Sequence, residues 1–119
     1  VQFLLIFIGG GLGSLSRFGI TKIVAPYSEE FPFGTLVANI LSCILLGFLL
    51  SLTFRYQIKD TYKFLLMTGF CGGFSTFSTF SSETFQLFQN GEIILAMLNI
   101  VGSVLVCLLA IWLGFVLGK

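Results

Sequence analysis

The sequence contains no histidine, and charged residues make up 9% of its 119 positions, six basic against five acidic. With no histidine, no pair of carboxylates and no nucleophile set beside a base, the groups from which an active site is assembled are missing, and enzymatic function is set aside. A formal net charge of +1 without a clustered basic face removes the electrostatic footprint of a nucleic-acid binder. Soluble domains carry roughly 25% charged residues. So low a charge beside 56% hydrophobic residues puts the chain in the membrane class. Cys43, Cys71 and Cys107 lie in separate apolar stretches without CxxC spacing, and they read as small packing residues rather than metal ligands or a disulfide.

What is present is apolar length. Four stretches, about 2 to 25, 34 to 54, 63 to 88 and 93 to 117, each approach the ~20 residues needed to cross a bilayer as a helix. Almost nothing remains for a soluble domain, so residues 1–119 are expected to form a single all-α, four-helix transmembrane domain, multi-pass in the lipid bilayer. The first stretch lacks a basic leading region and carries four glycines from Gly9 to Gly13, so it is expected to stay as a helix rather than be removed as a signal peptide. Numbering starts at Val1, and a short preceding piece with the initiating Met is expected. Gly9 and Gly13, like Gly114 and Gly118, have the small-xxx-small spacing that lets two helix backbones approach. Pro32-Phe-Gly-Thr35 restarts a helix with Thr35 as its expected cap, and Gln86 to Gly91 form a polar turn. Basic residues on one side (Arg55, Lys59, Lys63, Lys119) only slightly outnumber Lys22 and Arg17 on the other, a small bias that places the termini in the cytoplasm and permits insertion both ways. Four spans cannot enclose a wide pore and still bury their own polar seams, so an oligomer is expected.

The chain is organised around Gly69-Phe-Cys-Gly-Gly-Phe-Ser-Thr-Phe-Ser-Thr-Phe-Ser-Ser-Glu83, a glycine-rich break followed by a repeated Phe-Ser-Thr triplet. Unsatisfied backbone groups cost several kcal/mol each in hydrocarbon, so a break at that depth must be buried in protein or line a wet cavity. At about 100° per residue, Phe74, Phe77 and Phe80 share one arc, while Ser75, Thr76, Ser78, Thr79 and Ser82 take up the rest. Hydroxyls and ring edges can meet an anion, as lone pairs and ring faces can meet a cation. With no Lys or Arg to trap an ion, the stretch suits a neutral path for a small ion; it equally fits a polar seam between helices. Asn39 is interhelical glue or, through its two N–H donors, a first ligand for a dehydrating anion. Arg17 must face a polar vestibule, pair with a carboxylate, or snorkel to the interface. Glu83 either ties down hydroxyls or Arg17, or sits at a helix end near water.

Three motifs taken together carry a resemblance that covers nearly the whole chain. Gly9, Gly10, Gly13 and Arg17 give Gly-Gly-x-x-Gly-x-x-x-Arg; Gly34, Thr35, Leu36 and Asn39 give Gly-Thr-Leu-x-x-Asn; and Gly69 to Phe80 supply the third and most specific. In this order they resemble the Fluc (CrcB-type) fluoride channels. The resemblance implies an antiparallel, dual-topology homodimer in the inner (plasma) membrane of a prokaryote, with a third helix broken at its centre and two narrow pores for passive, selective fluoride export. It further implies that the ring edges of Phe77 and Phe80 meet the ion, that Asn39 faces the pore, and that Ser78, Thr79 and Ser103 supply a hydroxyl track. A structural sodium ion, held by backbone carbonyls of Gly72 and Ser75, follows from the same likeness; an unwound stretch does free carbonyl oxygens, which suit a hard cation. Arg17 and Glu83 would be vestibule or structural residues. The chain departs from the family pattern at Cys43, where Gly is common, and at Asn99, where Tyr often stands.

Two other classes of membrane protein compete with this reading. A small proton-coupled multidrug-type exporter is also a short four-span dimer, but it needs an intramembrane carboxylate in its first span, and the first stretch has none. A non-transporting membrane assembly subunit would leave the Phe-Ser-Thr repeat without a purpose and would pass no ions as a purified dimer.

Overall fold

Apolar runs whose prolines fall only at Pro26 and Pro32 can continue as helix, and the computed structural model, which describes residues 1–119, is all-helical with no strand. Helix α1 spans Gln2–Val24 and closes in a 3₁₀ turn, Ala25–Tyr27. Helix α2 spans Phe33–Tyr56 and starts directly after Pro32, so Thr35 is not the cap expected from sequence. It sits inside the first turn, 5% exposed, because proline already fixes the chain entering the helix. The next rod, α3, is assembled from a turn (Asp60–Tyr62), a π-helical stretch (Lys63–Cys71) and a last turn (Gly72–Phe74). Ser75 and Thr76 are extended. Helix α4 then spans Phe77–Gln89 and α5 spans Ile93–Leu117.

The polar turn anticipated after α4 is present. Asn90 N–H donates to Gln86 O at 3.0 Å and Glu92 N–H to Leu87 O at 2.8 Å, while Gly91 takes φ +76°, a left-handed conformation that glycine adopts without a Cβ penalty.

Three helices are long and apolar enough to cross a membrane: Gln2–Tyr27, Phe33–Tyr56 and Ile93–Leu117. Residues 60–74 and Phe77–Gln89 are each too short to do so alone, given the ~20 residues a helical crossing takes. Large apolar side chains point outward, among them Phe3, Phe7 and Phe18 on α1 and Leu108, Leu109 and Trp112 on α5. The buried positions are mostly small: Ala38, Ser42, Ser51, Ala96 and Ala110. This inversion suits helices solvated by lipid, where association comes from close packing and interhelical hydrogen bonds rather than from hydrophobic exclusion.

Two glycine seams set the arrangement. Along α1 and α3, a methyl added at Gly9 would strike the carbonyl oxygen of Leu65, at Gly13 that of Phe70, and at Gly73 that of Gly10. Along α2 and α5, Gly47 lies against the Ile111 carbonyl and Gly114 against that of Ile44. The spaced glycines of α1 are therefore packing residues, as their spacing predicts. These contacts make α1 with α3 and α2 with α5 the two tight pairs, and α4 rests against α2 and α5.

A matched pair of substitutions checks the second seam. Gly47→Ala should lower the melting temperature of the purified protein, since overpacking against backbone costs about 1–3 kcal/mol or more. Gly102→Ala, on a face with nothing within 4 Å, should leave it unchanged or raise it slightly, because alanine favours helix over glycine by about 1 kcal/mol. Equal melting temperatures for the two variants would contradict the seam.

Candidate functional site

The interruption between α3 and α4 leaves backbone groups that helix would have paired, and side chains from three other positions meet them. Asn39 of α2 clamps Thr76: its Oδ1 accepts from the Thr76 N–H at 2.9 Å, and its Nδ2 donates to the Thr76 carbonyl at 3.3 Å. Arg17 of α1 donates through Nε to the Gly73 carbonyl at 3.2 Å. The Cys71 carbonyl accepts from Ser42 Oγ at 3.1 Å and from Ser75 Oγ at 2.8 Å. Thr76 in turn caps α4, its Oγ1 accepting from the Thr79 N–H at 3.2 Å, which is why the chain re-enters helix at Phe77. The Ser75 carbonyl receives no hydrogen bond.

Beside the interruption lies an open cleft of about 350 Å³, lined by α2, α5 and both sides of the break. Asn39, Phe77, Phe80 and Ser103 border it together with Gly72 and Ser75, and no lining residue is charged. The Phe77 and Phe80 rings are 5.6 Å apart between centroids and inclined at 39°. Phe77 is 79% exposed, so one wall of the cleft is unfinished within a single chain. Asn39 keeps one Nδ2 hydrogen uncommitted after bonding Thr76, which leaves a donor for a guest.

A second cleft, of about 300 Å³, gathers Arg17, Glu83, Thr79, Thr35, Thr21 and Ser14. Arg17 does reach a polar vestibule here, but it forms no ion pair with Glu83; its Nε donates to Gly73 O. Glu83 Oε1 is buried and makes no hydrogen bond, while the carboxylate lies beside the Thr35 hydroxyl, within hydrogen-bonding reach.

The residues singled out from sequence are thus divided. Asn39, Phe77, Phe80, Ser103, Gly72 and Ser75 share the first cleft; Thr79, Arg17 and Glu83 share the second; and Ser78 is exposed, with its Oγ 3.3 Å from Thr76 Oγ1. Sequence reading missed Thr76, which carries both the clamp and the cap, although its place ahead of a helix start was a visible capping signal. It also missed a buried network in which Asn99 Nδ2 donates to Thr84 Oγ1 at 2.8 Å and Ser103 Oγ donates to Asn99 Oδ1 at 3.1 Å. Cys43 and Cys107 border the first cleft as well, and nothing in their spacing marked them.

Apolar helices packed through glycine, with polar side chains collected around an interrupted helix, define a helical membrane protein with an uncharged polar path. The chain belongs to the CrcB family: the family model described as CrcB-like protein, Camphor Resistance (CrcB), matches residues 4–115. A protein of Pyrococcus abyssi named fluoride-specific ion channel FluC is 47% identical over 98% of this chain and 94% of its own. Proteins of the same name from Opitutus terrae and Dehalococcoides mccartyi are 43% and 42% identical, over 96% and 99% of this chain and 89% and 92% of theirs.

Removing the clamp should be costly whatever passes through the cleft. Asn39→Ala strands the Thr76 N–H and carbonyl, at about 1–3 kcal/mol for each group that finds no substitute partner. A clear fall in the melting temperature of the purified protein is expected, and a wild-type melting temperature would show that Asn39 does not hold the break.

Proposed function

We propose that this protein is a fluoride-selective channel giving passive fluoride export across the inner (plasma) membrane of a prokaryote. The observation that carries the reading is the uncharged first cleft, where two phenylalanine rings and an amide donor lie together in a chain that belongs to the CrcB family. An ion entering a narrow path must exchange its water for ligands that bind firmly enough to admit it and weakly enough to release it. A lysine or arginine would trap fluoride; the positive edge of a phenyl ring, the free N–H of Asn39 and hydroxyl donors attract it without a full charge. Phe77 and Phe80 are read as the ion-facing rings, with Asn39 beside them. Ser78, Thr79 and Ser103 are read as the hydroxyls that flank the path, and Arg17 and Glu83 as lining a vestibule at one end.

In this reading, residues 60–74 and Phe77–Gln89 together make one broken span, the fourth crossing beside α1, α2 and α5. The exposed Phe77 side of the cleft is closed by a second copy, arranged antiparallel as the near-balanced loop charges permit, so that the homodimer holds two pores. The Gly72 and Ser75 carbonyls would hold a structural sodium ion. The fit rests on the Ser75 carbonyl, unpartnered while its neighbours at Cys71, Gly73 and Thr76 each accept from a side chain, and on carbonyl oxygen being a suitable ligand for a hard cation. Two carbonyls fall short of a full oxygen shell, and a two-fold copy would double them. Such an ion would satisfy backbone groups that the break leaves bare.

Phe77→Ile separates the channel reading from a seam that only binds. Isoleucine keeps an apolar side chain of comparable bulk, so melting temperature should hold while fluoride efflux from proteoliposomes falls about tenfold or more, the loss of roughly one charge-directed contact. Undiminished efflux in Phe77→Ile and Phe80→Ile would remove the aromatic role.

A further inference from the structure

Ser103 borders the first cleft, yet its hydroxyl proton is already engaged. The hydrogen bonds behind it form a relay whose direction can be derived from one end. The Phe80 carbonyl can only accept, so Thr84, whose Oγ1 lies 2.8 Å from it, must donate there. A hydroxyl has one proton, so Thr84 Oγ1 must accept from Asn99, 2.8 Å away, and Asn99 must present its Nδ2. That orients Oδ1 of the same amide toward Ser103, which then donates across 3.1 Å. Asn99 is 2% exposed and Thr84 6%, so no solvent competes for either, and reversing one link would leave a buried donor or acceptor unpaired.

We propose that Thr84 and Asn99 are positioning residues that fix the proton polarity of Ser103, so that Ser103 meets the cleft with lone pairs and not with an O–H. The inference rests on the channel reading and sharpens it. On the α4 and α2 side of the path the ion finds ring edges and the Asn39 amide; on the α5 side it finds an acceptor. An acceptor repels a bare anion and suits a donor, so Ser103 holds a water that solvates the ion rather than ligating the ion itself. The relay depends on Asn99, at a position where a phenol could not offer an amide's donor and acceptor at opposite ends, so the feature belongs to this chain's own residues.

The test is a double-mutant cycle on fluoride efflux from proteoliposomes. In the wild-type background Ser103→Ala removes only the acceptor that holds the water, so its effect on efflux should be several-fold smaller than the effect of the same substitution once the relay is cut. Thr84→Val cuts the relay, frees the Asn99 amide to turn and lets Ser103 donate; in that background Ser103→Ala should lower efflux by about tenfold, the order expected for losing a hydrogen bond to a charged group. Thr84→Ser, which keeps both the donor and the acceptor, should return the effect of Ser103→Ala to its smaller wild-type size. A tenfold loss from Ser103→Ala in the wild type, or effects of Ser103→Ala that are the same in both backgrounds, would overturn the proposal. Should the wild type pass no fluoride, the channel reading itself fails; the relay is then judged on melting temperatures, where Thr84→Val and Asn99→Leu must be less than additive if the two side chains are bonded, and simple additivity would refute it.

Discussion

Everything near the centre of this protein follows from one constraint: a helix interrupted at Ser75 and Thr76 releases backbone donors and acceptors where lipid can satisfy none of them. Asn39 answers with both ends of its amide on Thr76, Arg17 answers at Gly73, and Ser42 answers at Cys71. These partners come from α1 and α2, so satisfying the interruption also fixes how those helices lie around it. The glycine seams serve the same end. Backbone contact along α1 and α3 brings Arg17 within reach of the Gly73 carbonyl, and backbone contact along α2 and α5 sets side by side the two helices that line the first cleft.

The same geometry makes a cleft without charge. Because the interruption is held by neutral groups and by an arginine that approaches from the far side, the space beside Phe77 and Phe80 carries dipoles only. A small, strongly hydrated anion moves along dipoles where a fixed charge would hold it. Structural economy and the proposed function thus make the same demand of Asn39, which clamps the break with one hydrogen and keeps the other for a guest.

Much of this was legible in the residues. The apolar runs gave the helices, the spaced glycines of α1 gave its packing face, and Phe77, Phe80 and Asn39 were drawn to one another by motif and meet at one cleft. What the sequence hid was three-dimensional. The π-helical stretch Lys63–Cys71 has no signature that distinguishes it from ordinary helix. Glu83 and Arg17 share a cleft without pairing, and the Gly73 carbonyl that Arg17 Nε meets is brought there only by the fold. Thr79 and Ser78 follow the rings in sequence but turn to other surfaces, since a helix carries successive residues around its axis. The direction of the Asn99 network could not be read at all, for it depends on Phe80 O lying one turn behind Thr84.

The central claim is that the uncharged cleft is a selective path for fluoride. The most direct measurement is anion release from liposomes holding the purified wild-type protein, with fluoride and chloride followed side by side and sodium present. Rapid fluoride release with chloride retained is the result this account predicts. Release of both anions, or of neither from well-folded protein, would contradict it.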